Sequence, residues 1–284
     1  MMQVKRFTKF VPKPVLGQVT CVALIFALIA TVMLVGCTSM AEDEASYEYD
    51  DGVVTTEVST LPKMVIAGLV TDDLLPLRVA KQEGMLDTSG LGVEIVLYPS
   101  VEEKHAALVA GQADGIITDM VDAALLTDSG TIMHVVTVVQ NIPFEVISYS
   151  AEITTTAHES LFEVPPGMIN ERVLAFSHDF LLGNTASGEA TAPEASAEAI
   201  AILTPLIGQA VSKINAHPQD YLQLYMQQGE YVHGVHGYDE VPSYPIPDLP
   251  NRENDEVLLR WLFESGKTDE LINYDDLIFI PGAP

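Results

Sequence analysis

Residues 63–98 read KMVIAGLVTDDLLPLRVAKQEGMLDTSGLGVEIVLY and hold two short apolar runs, KMVIAGL and VEIVLY, around a helical pattern. The two runs have the length and the branched side chains of buried strands. The segment between them ends its helical pattern at Gly84, a residue type typical of the position after a helix. It opens on three residues of N-cap type, Thr71, Asp72 and Asp73. The stretch therefore predicts strand, helix and strand.

The same alternation continues toward the C-terminus. Ser100 and Glu103 form a capping-box pattern that opens a second helix. After a third short strand, Thr118 or Asp119 caps a third helix, and a fourth strand is predicted over residues 132–139. We expect Asp119 to be a surface cap worth about 1 kcal/mol. Four strands that alternate with helices across short loops predict an α/β fold with a parallel-rich sheet flanked by helices.

The pattern is less regular beyond the fourth strand. Strands are predicted near residues 145–149 and 172–176. Residues 183–197 (GNTASGEATAPEASA) predict a low-complexity linker, and a long helical region follows with breaks at Pro205 and Pro218. The rest of the chain predicts a proline-rich extended connection at residues 241–250, a helix at 255–264 and a short turn at 274–277.

The first 36 residues predict an export signal. Four basic residues and no acid precede an apolar run over about residues 19–35, which ends in LVGC. This ending resembles the bacterial lipobox, which implies that the thiol of Cys37 carries a diacylglyceryl group and that Cys37 is the mature N-terminus. The alternative is an uncut signal anchor, since the run is nearly long enough to span a membrane. Residues 37–61 predict an acidic tether, so we expect a protein anchored by lipid at the extracytoplasmic face of the cell membrane.

Charge and cysteine content exclude several classes of function. Nine basic residues and 40 acids follow residue 36, a formal charge of −31. Such a surface repels phosphate backbones, so no nucleic-acid partner is expected. Cys21 lies in the leader, and an acylated Cys37 would leave no thiol for a disulfide, a metal site or a nucleophile.

Five stretches, taken in order, resemble the solute-binding proteins of ABC transporters, and the nitrate, sulfonate and thiamine-precursor type most closely. Residues 75–85 (LPLRVAKQEGM) resemble the helix that opens these proteins, and LGVEIV at residues 91–96 resembles their second strand. The other similar stretches are AALVAGQADG at 106–115, INAHPQDY at 214–221, and WLFESG at 261–266 followed by NYDDL at 273–277. The resemblance covers roughly residues 63–180 and 199–279.

The resemblance implies a two-lobe periplasmic-binding fold and a receptor that delivers a small organic molecule to an ABC permease. Lobe 1 would comprise residues 62–143 and 200–284, and residues 144–199 would form a reduced lobe 2 with the linker. This chain lacks the further strand and helix set that the family normally carries in lobe 2. Two alternatives stay open: an enzyme related to thiamine-pyrimidine synthases, whose cysteine-rich motif is absent here, or a degenerate lipoprotein without a ligand.

The candidate ligand-binding residues are the helix starts that follow the strands. In open parallel sheets, ligands bind outside the carboxyl ends of the strands, where helix N-termini present free N–H groups. The acidic residues at these helix starts suit a cationic or hydrogen-bonding heterocyclic ligand better than a bare anion. For each helix start, the simpler alternative is that its polar residue is only an N-cap. We expect one cleft lined by Thr71, Asp72, Asp73, Ser100, Thr118 and Asp119, with Ser177 and His178 supplied by the facing lobe as the resemblance implies.

No catalytic residue, metal site or cofactor is predicted. Ser177, His178 and Asp179 are the residue types of a serine-protease catalytic triad. Consecutive residues in one strand point to opposite faces, however, so these three form no triad. His233 and His236 could hold a metal with Asp239 or Glu240. They lie in a glycine-rich loop without a rigid element to orient them, so a solvated loop is expected there.

Overall fold

The structure, a computed structural model, describes residues 61–69, 74–140, 164–165, 167–231 and 240–282, except for the side chains of 228–231. All of these residues belong to one compact unit, Glu57–Pro284. The predicted leader, Cys37, the tether, the strand near residues 145–149, the N-cap residues at 71–73, and His233 and His236 lie outside the described residues.

Five strands and nine helices are present in the described part of the chain. The strands are β1 (Met64–Gly68), β2 (Val93–Leu97), β3 (Gly115–Asp119), β4 (Met133–Gln140) and β5 (Arg172–Ser177). The helices are α1 (Leu75–Gln82), α2 (Met85–Thr88), α3 (Val101–Val109), α4 (Met120–Asp128), α5 (His178–Leu181), α6 (Pro193–Ala216), α7 (Leu222–Tyr231), α8 (Arg252–Glu264) and α9 (Tyr274–Leu277), with a 3₁₀ turn at Pro218–Tyr221.

The strands form one sheet in the order β2-β1-β3-β5-β4. β1 pairs in parallel with β2 and with β3, whereas β5 is antiparallel to both of its neighbours, β3 and β4. Four of the five strands therefore run in one direction. This confirms the predicted α/β class with a parallel-rich sheet flanked by helices.

Helices cover both faces of the sheet, and the strands alternate their side chains between two apolar layers. Met64 and Ile66 of β1 pack into the layer that holds α1, α6 and α7, and Val65 and Ala67 pack into the layer with α3, α4, α8 and α9. Since β1 is buried at every position, its continuous apolar sequence is that of a central parallel strand.

The position of strand β5 differs from the one predicted for it in the second lobe. The sequence places the strand near residues 172–176 in lobe 2, but the structure inserts it into the same sheet as β1 to β4. Gly115 makes this pairing possible, because a Cβ there would lie 2.7 Å from the Phe176 ring. Residues 141–171 are all that separates β4 from β5.

Helix α6 corrects two further predictions. It starts at Pro193, inside the predicted linker, and continues through Pro205, where the sequence predicts a break. Its buried side chains recur at helical spacing, including Ile200, Leu203 and Ile207, and their packing offsets the hydrogen bond that proline removes. By length and composition alone, α6 could cross a membrane, but a long buried helix in a protein core meets the same criteria. The apolar face of α6 packs on α1 and the sheet.

Candidate binding edge of the sheet

Buried polar side chains gather at one edge of the sheet, where β1 to β4 end and β5 begins; we call it the carboxyl edge. Asp119, the last residue of β3, lies beside Arg172, the first residue of β5. Gln140 ends β4 beside the same arginine, and all three residues are buried. Helices α3 and α4 also begin at this edge. Because open α/β sheets bind ligands here, the carboxyl edge is the candidate site.

The start of helix α4 is closed by the chain itself. The Asp119 side chain caps it, with Oδ1 accepting from the Asp122 amide at 2.8 Å. The Met120 amide donates to the Glu171 carbonyl at 3.1 Å, and the Val121 amide donates to Asn170 Oδ1 at 3.2 Å. The first three N–H groups of α4 therefore all have protein acceptors. A bound anion at this helix start would have to displace them.

Asp119 is a buried ion-pair partner as well as a cap. Its Oδ2 lies 3.5 Å from Arg172 Nη1, and its side chain is only 1% exposed. The expectation of a surface cap is therefore wrong. The cap lies inside the molecule because β5 packs alongside β3, a pairing that the local sequence does not reveal.

Thr118 joins the same cluster from the end of β3. Its hydroxyl donates to Asp122 Oδ2 at 3.3 Å, and both residues are fully buried. Like Asp119, it faces the protein and not solvent. Thr118 and Asp119 are therefore brought together as predicted, in a position where they hold α4 on the sheet.

Helix α3 contributes a buried lysine and a buried histidine. Lys104 is fully buried, and its ammonium donates to the Ile117 carbonyl at 2.7 Å. His105 Nε2 lies 3.5 Å from Asp122 Oδ2. Burial, with the Lys104 cation as the second cause, lowers the pKa of His105 to about 4. His105 is therefore neutral at pH 7.

The cluster combines buried charges of both signs. Two cations, Lys104 and Arg172, stand with two carboxylates, Asp119 and Asp122, around the neutral His105. A chain that has nine basic residues after residue 36 places two of them here, although it carries 40 acids. A buried charge is costly unless a partner compensates it, so these opposite charges hold the elements of the edge together.

Helix α3 starts with an acceptor of its own. Ser100 Oγ accepts from the Glu103 amide at 3.2 Å, as the capping-box pattern predicts. The Glu102 carboxylate is held by its own backbone N–H and by the Ser100 hydroxyl, and these hydrogen bonds lower the pKa of Glu102. Ser100 is only half-buried. Of the predicted site residues that are described at this edge, it is the one that a solute could reach.

Two further buried acids lie behind the start of α4. Glu171 Oε2 accepts from the Asn251 amide at 2.8 Å, at the beginning of α8. Asp255, on the first turn of α8, is fully buried, and neither of its carboxyl oxygens has a hydrogen-bond partner among the described residues. Burial first, and then the charge of Glu171, raise the pKa of Asp255 to about 8. Asp255 is therefore mostly protonated at pH 7.

Ser177 and His178 lie at the other edge of the sheet, so their predicted place in the cleft is wrong. β5 runs antiparallel to β3, and Phe176 therefore pairs with Gly115 at the amino end of β3. The Ser177 amide donates to the Asp114 carbonyl at 2.9 Å, and its hydroxyl caps α5. The parallel-strand rule that groups the helix starts fails for the one strand that is antiparallel.

No motif in the sequence singles out Lys104, His105 or Arg172. The same is true of the acids Glu171 and Asp255. A partial signal is present, because basic residues are scarce in this chain and Arg172 is the only one between residues 105 and 212. Such an isolated cation inside an apolar strand indicates a buried partner. Which acid it meets depends on the register of β3 and β5, and the sequence does not show that register.

Comparison with solved structures supports the fold. The periplasmic aliphatic sulphonate-binding protein SsuA from Escherichia coli matches with a TM-score of 0.52 at 10% identity, over 78% of this chain and 93% of that one. The periplasmic nitrate-binding protein NrtA from Synechocystis PCC 6803 reaches 0.49 at 11% identity, over 76% and 84%. A Bordetella bronchiseptica RB50 protein is 25% identical, but the match spans only 28% of this chain and a quarter of that one, with a TM-score of 0.26.

No family model and no curated protein matches the chain. The likeness to the E. coli protein, at 10% identity, establishes the fold and nothing finer. The chain has the periplasmic-binding-protein fold, and the resemblance to the nitrate and sulfonate type is confirmed at that level.

Proposed function

We propose that this chain is a lipid-anchored solute-binding protein on the extracytoplasmic face of the cell membrane, which delivers a small organic molecule to an ABC permease. The observation that carries the proposal is the fold, whose matched neighbour is a binding protein, together with the accessible start of helix α3 at the carboxyl edge. The export leader with its cysteine supports the membrane location. No catalytic activity is part of the proposal.

The solute is a neutral or cationic hydrogen-bonding molecule in this proposal. Bare anions bind helix starts through free N–H groups and the positive end of the helix dipole. Here the three N–H groups of α4 have protein acceptors, and the Glu102 carboxylate already stands at the start of α3. The formal charge of −31 after residue 36 also gives an anion no long-range attraction.

The predicted site residues take different roles. Ser100 is accessible and would contact the solute, together with Thr71, Asp72 and Asp73. Thr118 and Asp119 are buried and would position helix α4 without touching the solute. Ser177 and His178 belong to the opposite edge and have no part in this site.

A thermal-shift screen tests the proposal. A solute present at about 100 times its Kd raises the free energy of unfolding by roughly 2.7 kcal/mol. We expect such a shift from amines, flavins or thiamine precursors, and none from nitrate or simple sulfonates. A shift produced by the anions alone would contradict the proposed ligand class.

Ser100→Ala and Ser177→Ala form a matched pair for this screen. Both serines are half-buried N-caps that accept from the third amide of a helix, at 3.2 and 3.3 Å. Each substitution should cost about 1 kcal/mol of stability. Only Ser100→Ala should reduce the shift that a solute causes. Equal loss of the shift in both variants would show that the serine at the carboxyl edge makes no specific contact.

A second candidate is a lipoprotein of this fold that binds no solute. The closed start of α4 favours it, because the chain fills a place where a ligand could bind. The screen separates the two candidates. If no solute of a broad panel stabilises the protein, the receptor role fails and this candidate replaces it.

A further inference from the structure

A cavity lies at the amino edge of the sheet, opposite the candidate binding edge. It measures about 350 Å³, and residues from the end of α3, the α4–β4 loop, the β5–α5 junction and the loop after α5 line it. Its polar lining includes Ser177, His178, Asp179 and Thr131. Val109 and Ile132 on its lining are 61% and 46% exposed. The cavity is therefore open to solvent.

Two histidines meet beside this cavity although 44 residues separate them in the chain. His134 lies on β4, paired across the sheet with Phe176, and His178 follows the end of β5. His134 Nε2 and His178 Nδ1 are 2.9 Å apart, and the ring centroids are 5.2 Å apart. Phe279 packs edge-on against the His134 ring. The two ring nitrogens thus face each other where the end of β5 passes into α5, beside β4.

We propose that His134 Nε2 and His178 Nδ1 chelate one divalent transition-metal ion of the Cu²⁺ or Ni²⁺ type. The ion takes the place of the hydrogen-bonded proton between the two ring nitrogens, and that proton moves to the outer nitrogen of the ring that donated it, so that each ring keeps one proton on its other nitrogen. Water from the open cavity fills the other coordination positions. Among the described residues, no three His, Cys, Asp or Glu side chains are grouped for a metal, so the site has two protein ligands.

The separation of the two nitrogens selects the metal. With metal–nitrogen bonds of about 2.05 Å, nitrogens 2.9 Å apart subtend about 90° at the ion. This is the angle between neighbouring ligands in square-planar or octahedral sites, which suit Cu²⁺ and Ni²⁺. Tetrahedral Zn²⁺ would need the nitrogens about 3.3 Å apart. His134 is held on β4, and the His178 amide donates to the Ile132 carbonyl at 2.9 Å next to β4, so backbone hydrogen bonds on both sides resist that widening.

Two imidazoles suit an ion of this type, because a neutral ring nitrogen offers the lone pair that Cu²⁺ or Ni²⁺ needs. The sequence predicts no metal site, because it shows no rigid cluster of histidines and acids; the pairing of β4 with β5 brings His134 and His178 together.

Calorimetric titration of the full chain, purified without a histidine tag, with Ni²⁺ and then Zn²⁺ tests the site. We expect one Ni²⁺ per chain at this site and weaker binding of Zn²⁺. His134→Gln and His178→Gln should each weaken Ni²⁺ binding by about 100-fold, because a chelate loses the high effective concentration of its second ligand. His217→Gln, a change at an exposed histidine elsewhere, should leave Ni²⁺ binding unchanged.

Two results would overturn the proposal. The first is an unchanged Ni²⁺ affinity in both His134→Gln and His178→Gln. The second is loss of Ni²⁺ binding only in a double variant, His233→Gln with His236→Gln, which would assign the ion to the loop that holds those two residues. Tighter binding of Zn²⁺ than of Ni²⁺ would overturn the 90° geometry. If a His134 or His178 variant fails to fold, electron paramagnetic resonance of Cu²⁺ bound to the His233→Gln, His236→Gln double variant decides, since two nitrogen donors must still be seen when that loop has lost its histidines.

Discussion

Replacing Asp255 with asparagine should stabilise the protein at neutral pH and change how its stability depends on pH. The carboxyl group is fully buried without a hydrogen-bond partner among the described residues, and its pKa rises from 3.8 to about 8. Between pH 4 and pH 8 the folded chain keeps a proton on Asp255 that the unfolded chain has lost. Stability from this group is therefore complete below pH 4 and declines as the pH rises toward 8.

The size of the effect follows from the pKa difference. Each pH unit between the two pKa values costs about 1.4 kcal/mol, so by pH 7 the cost is on the order of 4 kcal/mol. An asparagine side chain at this position would stay neutral at every pH and would avoid this cost. We expect Asp255→Asn and the unchanged protein to be similarly stable near pH 4 and to diverge as the pH rises.

Urea unfolding at half-unit steps from pH 4.5 to pH 8 measures the divergence, with the difference between the two proteins as the quantity of interest. Glu253→Gln removes a carboxylate from the exposed face of the same helix and serves as the control. Its difference from the unchanged protein should stay flat with pH. If the Asp255→Asn difference is also flat, the buried carboxyl group is ionised or paired in the folded state and the reasoning is wrong.

Two further predictions concern the ion pair and the anchor. Asp119→Ala should lower the free energy of unfolding by about 3–5 kcal/mol, because it removes one partner of a buried ion pair together with the cap of α4, whereas the cap variant Ser100→Ala should cost about 1 kcal/mol; equal losses in chemical denaturation would contradict the buried pair. Cys37→Ala should release the protein from the membrane fraction and remove the lipid from its mass spectrum, while Cys21→Ala should remain membrane-bound; a Cys37→Ala protein that stays anchored would support the uncut signal anchor.

The first half of the fold could be predicted because its signals are local. Ser100 and Asp119 do cap α3 and α4, and the strand and helix pattern up to residue 139 matches the structure closely. Each of these features depends on residues three or four positions apart. The predicted start of α8 at residue 255 is three residues late, since Asn251 caps the helix and the prediction rests on its apolar side chains.

The second half depends on contacts between distant residues, which a single sequence does not reveal. No sequence feature near Arg172 indicates that β5 runs antiparallel to β3 and β4. This reversed direction places Ser177 and His178 at the opposite edge of the sheet. The same pairing buries Asp119 and creates the pair of histidines. The alanine- and serine-rich composition that predicts a linker at residues 183–197 is equally compatible with the first turn of α6, once the sheet provides a surface for it.

The route of the chain between β4 and β5 limits which solute can bind. β4 ends and β5 begins at the carboxyl edge, so the 31 residues between them leave from that edge and return to it. The last two, Asn170 and Glu171, provide acceptors to the first amides of α4. Each such hydrogen bond contributes about 1 kcal/mol, so an anion that displaced both would bind roughly 30-fold more weakly than at a free helix start. We therefore expect a solute at this edge to contact the accessible start of α3 and not that of α4, and the paired Ser100→Ala and Ser177→Ala variants test that contact.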